Sequence, residues 1–132
     1  MRTADARLIL IVEDNQKNLK LVRDVLQFNG FRTLEAETGE AALELARSQQ
    51  PDLILMDIEL PGIDGVTALQ QLKSEAATAL IPVVALTASA MTSDRDRFLG
   101  AGFDGYITKP IDIKEFPGEV RAHCRQRSSQ ES

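Results

Sequence analysis

The chain has 132 residues, 43% hydrophobic and 27% charged, which is the size and mix of one ordinary domain with a single core. A net charge of −5 without a basic cluster interleaved with aromatics argues against a nucleic-acid partner, and no apolar stretch reaches the ~20 residues that span a bilayer. The single cysteine, Cys124, excludes an internal disulfide and suits a reducing cytoplasm.

The start, "MRTADARLILIVEDN", ends its short apolar run in two acids, where a signal peptide would place small residues before a cleavage site. Residues 1–7 are expected to be a frayed end. "LILIV" (Leu8–Val12) is a continuous β-rich run and reads as a strand buried on both faces. Leu19, Val22 and Leu26 then give a helical stripe, and Gly30 is its stop signal. "FRTLEA" (Phe31–Ala36) is a weaker strand, followed by "GEAALELARSQ", built from strong helix formers. "DLILM" (Asp52–Met56) is a second buried strand; the third helix, "GVTALQQLKSEA", sets Val66, Leu69 and Leu72 on one face. "PVVALT" (Pro82–Thr87) is again strand, and "SDRDRFLGAG" is a helix capped by Thr92 or Ser93 and closed by Gly100 or Gly102. "GYIT" (Gly105–Thr108) is the last strand. A fifth helix from Asp112 would carry Ile113, Phe116, Val120 and Cys124 on one side. Its Pro117 either kinks it or serves as its true first turn. "QRSSQES" (126–132) has no apolar residue and reads as a second frayed end. His123, the only histidine, is expected at the surface near a helix end, and Cys124 is expected as a small apolar residue on that helix.

Five β-then-α units with right-handed crossovers make an α/β fold, a doubly wound five-stranded parallel sheet with helices on both faces. Ligands bind such sheets at the carboxyl ends of the strands. Glu13 and Asp14 end the first strand, Asp57 the third and Thr87 the fourth, and Lys109 lies just beyond the fifth. Three carboxylates in one cleft repel each other unless a cation is present, and Mg²⁺ suits an oxygen-rich site that also receives a phosphate. A carboxylate nucleophile, a metal, a lysine and a hydroxyl are what phosphoryl transfer to an aspartate requires. On that reading Asp57 is the phosphoacceptor.

With those residues in place, the chain resembles a receiver domain of two-component signalling, from Leu8 to about Arg125. The resemblance rests on "LIVEDN", "PDLILMDIELPGIDG", "IPVVALTA" and "YITKPI", in order and at family spacing. It implies strand order 2-1-3-4-5, a domain over residues 8–125, and phosphorylation of Asp57 by a histidine kinase or histidine phosphotransferase. It assigns Mg²⁺ to Glu13, Asp14, Asp57 and the backbone carbonyl of Glu59, the phosphoryl oxygens to Thr87 and Lys109, and the switch to Thr87 and Tyr106. It also implies a cis Lys109–Pro110 peptide and a downstream protein target on the face of the fourth helix, fifth strand and fifth helix. Within the family, "VEDNQKNLKL" and "ALTASAMTSDRDRFLGAGFDGYITKPI" resemble single-domain DivK-like regulators, and the receiver modules of hybrid kinases are similar. Catalysis beyond the protein's own phosphorylation and dephosphorylation is not expected. Two other classes share parts of the pattern. A haloacid-dehalogenase-type phosphatase would carry Asp-x-Asp on its first strand, and a flavin carrier would have a Ser-, Thr- or Gly-rich loop where this chain has "EDNQKN".

Overall fold

Apolar strands and amphipathic helices alternate along the chain in the computed structural model, which describes residues 7–58, 65–87 and 92–124. The elements are β1 (Leu8–Val12), α1 (Gln16–Phe28), β2 (Arg32–Ala36), α2 (Gly39–Gln49), β3 (Leu53–Asp57), α3 (Gly65–Ser74), β4 (Val83–Thr87), α4 (Thr92–Ala101), β5 (Gly105–Thr108) and α5 (Phe116–His123). All strand pairings are parallel, and the order is β2-β1-β3-β4-β5. Every residue of β1, β3 and β4 is buried, because helices cover both faces of the sheet centre.

Side-chain alternation divides the core into two layers. Leu10, Val12, Ile54, Met56, Val83 and Ala85 face α2 and α3, where Ala42, Leu43, Leu69 and Leu72 meet them. Ile9, Ile11, Leu53, Leu55, Val84 and Leu86 face α1 and α5, against Leu19, Val22, Leu26, Phe116 and Val120. Each fully buried Leu, Ile or Val contributes about 1.5–3 kcal/mol of transfer free energy, so these layers hold the strand ends in place. The buried Asp52 is structural: its carboxylate accepts from Leu8 N–H (2.8 Å) and its N–H donates to the Leu8 carbonyl (2.7 Å), which locks the starts of β1 and β3 together.

Helix ends follow local chemistry. Asn15 caps α1, its side-chain oxygen accepting from Lys17 and Asn18 N–H at 3.0 Å each. Gly30 reverses the chain at φ +91, and Gly102 does so after α4 at φ +114. The side chains of Thr92 and Ser93, the expected caps of α4, lie outside the described residues, as do residues 1–6 and 125–132. Arg7, expected in a frayed end, is anchored: its carbonyl accepts from Arg32 N–H at 2.9 Å.

The fifth helix starts later than Asp112. Asp112 instead closes one turn, accepting from Lys114 N–H (2.9 Å) on its carboxylate and from Phe116 N–H (2.8 Å) on its carbonyl. The helix proper begins at Phe116 with Pro117 in its first turn, where the missing N–H costs nothing. Ile113 is consequently 60% exposed and does not join Phe116, Val120 and Cys124 in the core.

Candidate functional site

Register sets the site. Val12 pairs with Met56, so Glu13 and Asp57, one residue further on, emerge side by side at the carboxyl edge. Thr87 pairs with Thr108, and Lys109 follows, its N–H donating to the Thr87 carbonyl at 2.7 Å. The Lys109–Pro110 peptide is cis. Because Asn15 caps α1, the carboxylates of Glu13 and Asp14 are not spent on that role.

Glu13, Asp14 and Asp57 each place an oxygen within 4.8 Å of the others; Asp14 is exposed, whereas Glu13 and Asp57 are only 1% and 7% exposed. The Lys109 ammonium lies 3.1 Å from both Asp57 Oδ2 and Glu13 Oε1, and it donates a hydrogen bond to the Asp57 oxygen. With Glu13 Oε1 it forms an ion pair, and that buried oxygen accepts no hydrogen bond. Glu13 Oε2 accepts from Asn15 N–H at 3.2 Å, so Glu13 also shapes the turn into α1.

The charges perturb one another. Burial, then the adjacent Asp57, hold the Glu13 carboxyl above its ordinary value, while Lys109 pulls the other way. Burial works against the Lys109 charge, but Glu13 and Asp57 outweigh it and hold the ammonium above its ordinary value. One ammonium facing three carboxylates leaves the cluster short of positive charge. A hard dication fits: the oxygens converge, and Glu13 Oε1, ion-paired with Lys109, accepts no hydrogen bond. The backbone of Glu59 lies outside the described residues.

Thr87 is buried at the end of β4, and Tyr106 is half-buried on β5. Ala85 pairs with Tyr106 and Thr87 with Thr108, so Thr87 and Tyr106 occupy diagonal positions on one face of the sheet. Tyr106 packs there against the α2–α3 core. Cys124 is buried in the opposite layer, which pushes its thiol up.

Two features were not read from sequence. One is the Glu13–Lys109 pairing, which joins the first and fifth strands and has no local signal. The other is His123, expected at the surface. It is half-buried with its imidazole over Gly105, where a Cβ would meet ring atom Cε1 at 2.6 Å. A glycine at the first position of a strand was the available signal, since it permits close approach by a neighbour.

Residues 9–121 match the model of the response regulator receiver domain. The chain is 42% identical over 115 residues to the polar-differentiation response regulator DivK of Brucella ovis, covering 87% of this chain and 94% of that protein. Among solved structures it superimposes on the receiver domain of a Pseudomonas aeruginosa sensor histidine kinase, with a magnesium ion coordinated in its active-site cleft. That match has a TM-score of 0.82 and 33% identity, and covers 89% and 97% of the two chains. The signal receiver domain of a signal transduction histidine kinase from Syntrophus aciditrophicus gives a TM-score of 0.83 at 29% identity, covering 96% and 98%.

Proposed function

Because the chain belongs to the response regulator receiver family of two-component signalling, we propose that Asp57 is its phosphoacceptor, with a phosphohistidine of a histidine kinase or phosphotransferase as donor. The observation that carries this is the position of Asp57 Oδ2, buried beside the carboxylate cluster and 3.1 Å from the Lys109 ammonium. The other Asp57 oxygen attacks the phosphorus in line. The P–N bond breaks, and its electron pair returns to the donor imidazole. Lys109, held by Glu13 as well as Asp57, can follow the new negative charge onto a phosphoryl oxygen without leaving Glu13. Glu13, Asp14 and Asp57, together with the backbone carbonyl of Glu59, would hold Mg²⁺, which when bound would neutralise charge on the transferring oxygens.

The phosphoryl group adds acceptor oxygens beside the Thr87 hydroxyl. Thr87 moving inward frees space toward its diagonal neighbour Tyr106, and the α4–β5–α5 face changes shape for a downstream protein. Phosphorylation shifts this equilibrium only by its differential free energy in the two states. Among the described residues no helix is long and apolar enough to cross a membrane; we place the protein's action in the cytoplasm.

Intact-mass or Phos-tag measurement after exposure to a phosphodonor with Mg²⁺ tests the assignment. Asp57→Asn is expected to fold and gain no phosphoryl group. Undiminished phosphorylation of that variant removes Asp57 from the role.

A further inference from the structure

Among the described residues β5 has a single strand neighbour, β4, so its outer edge carries backbone N–H and C=O groups with no described strand beside them. An open groove of about 430 Å³ runs along this edge, touching Tyr106, Ile107 and Thr108 in succession and bounded on the α5 side by Asp112, Glu115 and Glu119. Consecutive strand side chains point to opposite faces, so a groove that touches three in a row opens onto the strand edge itself. Tyr106 is half-buried and Ile107 buried, while Asp112, Glu115 and Glu119 are exposed. Among the described residues, every charged residue lining the groove is acidic.

We infer that this groove docks an extended, basic segment of a partner protein, which adds as a strand beside β5 and sets alternate Arg or Lys side chains against Asp112, Glu115 and Glu119. The pairing follows from the period of two. Side chains of an added strand that face α5 meet the carboxylates, and those facing the other way meet Tyr106 and Thr108, which suits apolar or small residues. Main-chain hydrogen bonds would supply affinity and the acidic wall would select the partner. This inference rests on the proposed output face and deepens it: Tyr106, the proposed switch residue, forms part of the groove, so a change at Asp57 would alter what the segment meets.

The test uses the full chain with Mg²⁺ and beryllofluoride and a fluorescein-labelled eight-residue peptide alternating Arg and Val, both ends blocked. Its counterpart carries Glu in place of each Arg. Anisotropy is expected to show the basic peptide binding at least tenfold tighter, with amide NMR shifts concentrated at Tyr106, Thr108 and Glu119. Glu115→Gln with Glu119→Gln should weaken it about tenfold. Glu40→Gln with Glu44→Gln, an equal charge change on α2, should leave it within twofold. Equal loss in both double variants, equal binding of both peptides, or shifts elsewhere would overturn the inference. Phosphorylation of the same samples is scored separately: a protein that accepts phosphate normally but fails the peptide comparison refutes the groove and leaves Asp57's role intact. Peptide discrimination in a protein that does not phosphorylate would do the reverse.

Discussion

Replacing Gly105 by Ala probes how α5 is seated on the edge of the sheet. The added Cβ would lie 2.6 Å from His123 Cε1, 3.0 Å from Nε2 and 3.3 Å from Nδ1, all inside van der Waals contact. The imidazole must then swing away or α5 must lift, and overpacking of this kind costs about 1–3 kcal/mol. Against that, a strand alanine has less backbone entropy to lose than glycine, worth roughly 0.5–1 kcal/mol. The expected net is a loss of up to about 2.5 kcal/mol. In a His123→Ala background the clash is gone, and Gly105→Ala should be neutral or stabilising by up to about 1 kcal/mol. The coupling between the two sites, about 1–3 kcal/mol, is what a double-mutant cycle isolates. Urea unfolding of the four proteins, followed by far-ultraviolet circular dichroism, measures it. A Gly105→Ala cost that is the same with and without His123 would refute the argument, because the strain would then not come from the imidazole.

Glu13→Gln should remove part of the pH dependence of the metal-free protein. The folded-state pKa of Glu13 is raised, so its contribution favours the native state below its ordinary value of 4.5 and is lost as pH rises through the raised value. In chelator the variant should therefore gain stability over the wild type toward neutral pH and lose that advantage toward pH 4.5; a gap constant with pH would contradict this. Saturating Mg²⁺ should stabilise the wild type by mass action, and it should stabilise Asp14→Asn much less, as read by the shift in urea midpoint with metal concentration. Asn15→Ala removes a cap that serves two N–H groups and should cost about 1 kcal/mol in the same unfolding assay. Thr87→Ala should still accept phosphate at Asp57 but fail to gain partner affinity; calorimetry in beryllofluoride that finds the full gain would exclude coupling through Thr87.

Much of this protein was legible before any tertiary information. The runs at Leu8–Val12, Asp52–Met56 and Pro82–Thr87 are too continuously apolar to turn one side toward water, so they read as strands buried on both faces. The second helix could be placed over "GEAALELARSQ" because that run is built from strong helix formers, whereas its left-handed end at Gln50 had no sequence signal. The placement of Glu13, Asp14, Asp57, Thr87 and Lys109 at strand ends followed from the same patterning, since a strand's last residue is known once its apolar run is known. Other facts depended on which distant residues packing brings together. Of the two readings of the fifth helix, a kink at Pro117 or a start there, packing selects the start, and the separate turn at Asp112 leaves Ile113 outside the core. A histidine near a helix end read as surface, but α5 lays it over the one residue of β5 that has no side chain. The pairing of Lys109 with Glu13 spans almost the whole chain and exists because β3 and β4 hold β1 and β5 in one sheet. Periodicity and caps act within a few residues and can be read along the chain; burial and charge pairing act through space, and the tertiary fold alone decides them.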